Sequence, residues 1–238
     1  MSVKLAVEGL RAGYNGREIL DGISFEVPTG QVCVLLGTNG AGKSTTLGAI
    51  VGVVQRMAGR VMLDGADITR SEAADNLHAG VAMVPEGARV FRDFSVRENL
   101  MLGAYTVRDA AAIRERIERV HELFPILAER AQQLAGTLSG GERAMLAMGR
   151  ALMSGPSLLL LDEPFLGLSP AMCHKVMGAI AEINRERGVT VLVVEQNPLI
   201  LEIANRALVM QLGEIILAED DPQRLMSDGR LEAIFMAA

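Results

Sequence analysis

The sequence contains no tryptophan, and aromatic residues make up only 3% of it, against a net charge of −6. Basic residues are dispersed rather than run together. That argues against the basic, aromatic-bearing surface by which proteins hold nucleic acid, so no nucleic-acid partner is expected. The same dispersal weakens direct binding to anionic lipid. Long apolar runs are missing too. Half of the residues are hydrophobic, yet no stretch approaches the ~18 needed to cross a bilayer. The opening residues, Met1-Ser2-Val3-Lys4-Leu5-Ala6-Val7-Glu8, lack the charged-then-apolar layout of a signal peptide. Cysteine is scarce: Cys33 falls in a predicted buried strand and Cys173 in a predicted helix, without metal-ligand spacing. The expectation is a soluble, cytosolic chain. Its 238 residues can bury a substantial core as one large domain or two small ones.

The most informative segment is Gly37-Thr38-Asn39-Gly40-Ala41-Gly42-Lys43-Ser44. It follows the apolar run Val32-Cys33-Val34-Leu35-Leu36 and precedes a helical stretch beginning near Lys43. In that context G-x-x-x-x-G-K-[ST] is a nucleotide-phosphate cradle. Glycines let the backbone curl so that successive N–H groups face one anion, and the helix N-terminus adds partial positive charge. Lys43 is expected to reach the β- and γ-phosphates, and the Ser44 hydroxyl to ligate Mg²⁺. The glycine spacing and the Lys43-Ser44 pair argue against a dinucleotide loop.

Strand-like and helix-like stretches alternate along the chain, which predicts an α/β protein with a largely parallel sheet. Short strands are predicted at 5–10 and 23–27, separated by turn residues Gly13, Asn15, Gly16 and Asp21-Gly22. A further pair, 60–63 and the segment around Ile68, flanks Asp64-Gly65. These pieces predict an antiparallel layer beside the main sheet. From Ser95 to Met153 the pattern turns helical: Ser95-x-x-Glu98 forms a capping box and Asp109 starts a charged helix running through Glu122. Strands resume at 157–161, 189–194, 207–211 and 214–218. Helices are predicted to open at Ser169-Pro170, Asn197-Pro198 and Asp221-Pro222, each a cap residue followed by proline at the first helical position. No internal repeat or linker marks an independent second domain.

Two further segments bear on chemistry. Leu138-Ser139-Gly140-Gly141-Glu142 is either a plain capping box or a second anion-binding helix end, because two glycines at a helix start expose bare N–H groups. Ser157 is followed by four leucines and then Asp162-Glu163, a strand buried on both faces with two acids at its C-terminal end. Ligands bind at that end in open α/β sheets. Asp162 is placed to hold Mg²⁺ through water opposite Ser44, and Glu163 to orient or deprotonate an attacking water. The alternative is a pair of solvated acids closing a strand.

Together these segments resemble the ATP-binding-cassette ATPases, the motor subunits of ABC transporters, over nearly the whole chain. The resemblance implies a P-loop, RecA-like core with a mostly parallel sheet, an antiparallel β layer and an inserted helical subdomain at roughly 87–156, all within one domain spanning 1–238. It implies ATP contacts from Tyr14, stacked on adenine, and from Gly37, Thr38, Asn39, Gly40, Ala41, Gly42, Lys43, Ser44 and Thr45. It implies that Ser139, Gly140, Gly141 and Glu142 touch ATP bound to an opposing subunit, in a head-to-tail dimer of cassettes. Glu86, in Val84-Pro85-Glu86-Gly87, replaces the family's usual glutamine and joins Ser44 and Asp162 as a metal-site candidate. Gln196, in Val194-Glu195-Gln196-Asn197, replaces the usual switch histidine and joins Glu163 as a catalytic candidate.

Both replacements, with Gly167-Leu168-Ser169-Pro170, resemble an ATPase subunit of branched-chain amino-acid importers. Related importers carry urea, short amides or carboxylates. Ala88, Arg143 and Phe165 depart from that branch, and Arg143 and Phe165 are expected near the dimer interface. The resemblance further implies two transmembrane permease subunits contacting residues 88–100, a solute-binding protein acting indirectly, and a peripheral location on the cytoplasmic face of the inner membrane. Phe91 and Phe94 are either exposed anchors there or core residues. Other readings are a soluble ABC ATPase of DNA repair or translation, which usually carries tandem cassettes, long coiled-coil arms or basic surfaces, and a weakly hydrolysing regulatory cassette suggested by Gln196.

Overall fold

Short β-rich runs punctuated by turn residues build two sheets in the computed structural model, which describes residues 2–227 and 229–236. The first sheet is antiparallel, in the order β2-β1-β4-β5, from β1 (Val3–Tyr14), β2 (Arg17–Pro28), β4 (Gln55–Leu63) and β5 (Ala66–Asp67). Its first two strands are longer than the sequence predicts. Gly13 and Asp21-Gly22 lie inside them, and only Asn15-Gly16 makes the turn, both with positive φ (51° and 78°) as a tight hairpin requires. Register shifts along the pair absorb the misread turn residues. Gly13 is there for space: a Cβ would meet the Arg17 carbonyl oxygen at 1.9 Å.

The second sheet runs β10-β9-β3-β8-β7-β6. It comprises β3 (Val32–Leu36), β6 (Val81–Val84), β7 (Leu158–Asp162), β8 (Thr190–Glu195), β9 (Arg206–Gln211) and β10 (Glu214–Glu219). All its pairings are parallel except β9 with β10. Both faces of its central strands β3, β7 and β8 are buried, and the period-2 geometry of a strand divides each central run between two cores. Leu159 and Leu161 of β7 enter one cluster with Val191 and Val193 of β8. Leu158, Leu160, Leu192 and Val194 enter the other. The unbroken leucine run is therefore satisfied on both sides.

Helices α1 (Lys43–Val51), α2 (Ala73–His78) and α7 (Pro170–Arg187) accompany these strands, with α3 (Val96–Gly103), α4 (Ala110–Leu123), α5 (Pro125–Glu129) and α6 (Gly140–Leu152) between β6 and β7. Ser95 and Asp109 cap α3 and α4 as predicted: Glu98 N–H donates to Ser95 Oγ and Ala111 N–H to Asp109 Oδ1. The chain closes with α8 (Pro222–Ser227) and α9 (Arg230–Met236). Asn197-Pro198 opens a 3₁₀ helix, Pro198–Ile203, rather than an α-helix. Strand β6 and helices α2 and α9 have no counterpart in the sequence-based expectations. Each is four to seven residues long, too short for periodicity to emerge.

Candidate active site

The C-terminal ends of β3, β8 and β7 lie side by side in the sheet, so the loops that leave them meet. The loop after β3 needs two glycines in left-handed conformations, Gly40 at φ 81° and Gly42 at φ 109°. A Cβ on Gly42 would also meet Leu20 Cδ2 at 2.9 Å. Gly42 caps α1 with no side-chain hydrogen bond, and the first turn holds no acid. The first-turn N–H groups are thus left for an external anion. By contrast, α3 and α6 close their N-termini with capping boxes.

Lys43 is 4% exposed. Its Nζ donates to the carbonyl oxygens of Gly37 (2.9 Å) and Thr38 (3.1 Å) and pairs with Glu163 Oε1 at 3.2 Å. Ser44 Oγ donates to Asp162 Oδ1 at 2.9 Å. Burial pushes the Asp162 carboxyl above its ordinary range; the Ser44 bond opposes this, and the charges of Glu163 and Glu86 add to it. A hydroxyl and a carboxylate already in contact are hard oxygen donors suited to Mg²⁺, which takes one or two protein ligands plus phosphate oxygens. Among the described residues no group of three or more His, Cys, Asp or Glu could hold a metal unaided.

Glu163 sits at φ 46°, unusual for a residue other than glycine, and its N–H donates to Val194 O at 2.9 Å. That kink carries its side chain toward Gln196, whose Nε2 donates to both carboxylate oxygens (3.0 and 2.9 Å) and to Asn39 Oδ1 at 2.8 Å. The loops after β3, β7 and β8 are thereby linked through one polar chain. A cleft of about 340 Å³ joins Tyr14, Asn39, Gly40, Gly42, Lys43, Ser44, Thr45, Glu86 and Glu163. Tyr14 is half exposed at its rim. Thr38 and Ala41 shape the loop from below: Ala41 N–H donates to Thr38 O, and Gly213 N–H to Ala41 O.

Ser139, Gly140, Gly141 and Glu142 do not line that cleft. Ser139 and Glu142 form the reciprocal capping box of α6, and Glu142 pairs with Arg130 at 3.1 Å. The two glycines have different reasons for being there. A Cβ on Gly141 would strike Met172 Cε at 2.2 Å, whereas one on Gly140 would meet only Leu168 at 3.7 Å. A side chain at 141 would thus oblige the flexible Met172 to shift, whereas packing makes no demand at 140. Gly140 and Arg143 border a second cleft of about 240 Å³ beside Asp162 and Glu163. Phe165 is 4% exposed and packs in the core. Sequence reasoning also passed over Glu195, a buried carboxylate at the end of β8.

A strand, phosphate loop and helix facing a carboxylate pair at the end of the next strand but one of the same parallel sheet define a P-loop nucleotide-hydrolysing protein. A family model described as ABC transporter matches residues 20–166, and the chain belongs to that family. It is 42% identical, over 90% of its own length and 91% of the relative's, to the high-affinity branched-chain amino acid transport ATP-binding protein BraG of Pseudomonas aeruginosa. It is 32% identical, over 98% and 96%, to the lipopolysaccharide export system ATP-binding protein LptB of Haemophilus influenzae. Among solved structures, the ADP conformation of MJ1267, an ATP-binding cassette of an ABC transporter, superimposes with a TM-score of 0.84 at 27% identity over the whole of both chains. The protein is an ABC ATPase, the nucleotide-binding subunit of a transporter. No helix among the described residues is long and apolar enough to cross a membrane.

Proposed function

We propose that this chain is the ATP-hydrolysing subunit of an importer for branched-chain amino acids or a related small solute. It works as one cassette, 1–238, with a helical subdomain at 87–156, on the cytoplasmic face of the membrane. It pairs with a second ABC ATPase subunit and two permease subunits, with a solute-binding protein acting indirectly. The observation that carries the import reading is the 42% identity to the branched-chain amino acid transport protein, against 32% to the lipopolysaccharide export protein.

Within that reading, the loop from Gly37 to Thr45 cradles the phosphates, Lys43 neutralises them, and Ser44 and Asp162 hold Mg²⁺, with Glu86 nearby. Mg²⁺ held there would supply positive charge that offsets the charge developing on the phosphates. Glu163 orients and deprotonates the attacking water, and Gln196 fixes the Glu163 carboxylate that it already contacts. Ser139, Gly140, Gly141 and Glu142 serve the partner's nucleotide. Two features support membrane-subunit contact near 88–100. Phe91 and Phe94 are half exposed, with ring centroids 5.7 Å apart. Phe91 also lines a largely apolar groove of about 600 Å³ with Leu77, Met83, Leu102 and Tyr105.

Tyr14→Ala is expected to weaken ATP and GTP binding alike, by up to about 10-fold, because stacking on a π-face is nearly base-blind. Fluorescent-nucleotide titration checks this; a loss confined to ATP would point instead to specific hydrogen bonds. The transport reading is tested by reconstituting the chain with its membrane subunits and binding protein in vesicles loaded with ATP. Nucleotide-dependent accumulation of leucine or a related solute is expected. Turnover stimulated by lipopolysaccharide, with no solute uptake, would overturn import in favour of export.

A further inference from the structure

Glu195 is the last residue of β8 and only 3% exposed, yet its carboxylate stays hydrogen-bonded at every side the loops offer. Oε1 accepts from the Phe165 N–H at 2.8 Å. Oε2 accepts from the Gln196 N–H at 2.9 Å and the Asn197 N–H at 3.1 Å. Its backbone carbonyl accepts from the Gly37 N–H at 3.3 Å. One residue therefore ties together the start of the phosphate loop, the loop carrying Glu163 and the loop carrying Gln196. Burial raises the pKa of this carboxyl, and the three backbone donors oppose that rise.

We propose that Glu195 is a positioning residue for ATP hydrolysis: its carboxylate locks the Glu163–Phe165 turn to the Gln196–Asn197 turn, so both reach the γ-phosphate as one unit. It touches no substrate. The division of labour between its two oxygens makes the idea separable from general stability. In Glu195→Gln the side-chain shape is kept and the single carbonyl oxygen can still serve Gln196 and Asn197. The amide NH₂ then faces the Phe165 N–H, donor against donor, and the bond between the two turns is lost. Glu195→Asp keeps the charge but shortens the arm by one methylene, so it serves its own turn and falls short of Phe165.

The inference rests on the roles given above to Glu163 and Gln196, and the test keeps the two apart. The full chain, in complex with its membrane subunits, is assayed for ATP turnover and for nucleotide affinity, with thermal melting as a check on folding. Both variants are expected to lose at least about 10-fold in kcat while ATP affinity stays within about two-fold, the signature of misplaced catalytic groups rather than lost binding. If Glu195→Gln does not fold, Glu195→Asp carries the same comparison. Parental kcat in a folded variant, or an affinity loss as large as the kcat loss, overturns the proposal. Glu163→Gln run in parallel separates the cases. If it is inactive while the Glu195 variants are not, only the positioning role falls. If it turns over at the parental rate, the reading of the site falls with it.

Discussion

Glu163→Gln is expected to bind ATP at least as tightly as the parent and to hydrolyse it at least ~10²-fold more slowly, the usual cost of losing a positioned base. A hundred-fold loss corresponds to about 2.7 kcal/mol of transition-state stabilisation. The substitution keeps the side-chain shape while removing the carboxylate charge and one of the two acceptor oxygens that Gln196 Nε2 bonds. Gln196 can still bond the amide oxygen, and the kink at φ 46° is a backbone feature that glutamine retains. Affinity should not fall, because the Lys43–Glu163 pair at 3.2 Å competes with phosphate for the lysine, and the variant frees it. ATP-bound dimer should then accumulate and appear in light scattering. A variant that hydrolyses at the parental rate would remove Glu163 from the mechanism.

Lys43→Ala should show the complementary pattern, with loss at the binding step itself. Nζ is the cation of the phosphate loop and is held beside it by two loop carbonyls, close enough to turn to the phosphates when nucleotide arrives. A hydrogen bond to a charged group contributes about 1.5–3 kcal/mol, so affinity should fall by roughly 10- to 150-fold. The variant also leaves Glu163 facing the phosphates without its partner, which adds repulsion in the same direction. Circular dichroism and melting establish that the variant is folded. Unchanged affinity in a direct titration would sink the assignment of this loop to phosphate.

The phosphate loop and the acidic pair were legible in the sequence because their chemistry is local. Glycine at 40 and 42 is dictated by φ, and Asp162-Glu163 ends a run whose burial any leucine-rich strand announces. The long hairpin was not legible: Gly13 and Asp21-Gly22 carry turn chemistry but sit in bulged strands, where tertiary pairing overrides local preference. Strand β6 was missed because four residues at a sheet edge carry no period. The network around Glu195 was invisible for another reason. A glutamate ending a valine run looks like an ordinary strand terminus, and its three donors come partly from a turn 30 residues away. Likewise only packing separates Gly141, pressed against Met172, from Gly140, which packing does not require.

The most direct test of the account is the crystal structure of Glu163→Gln with Mg²⁺ and ATP. The account predicts Lys43 turned from residue 163 to the phosphates, Ser44 and Asp162 on the metal, Tyr14 against the adenine, and residues 139–142 of a second subunit closing over the nucleotide. ATP bound elsewhere, or Lys43 still held on the loop carbonyls with the phosphates out of its reach, would contradict it.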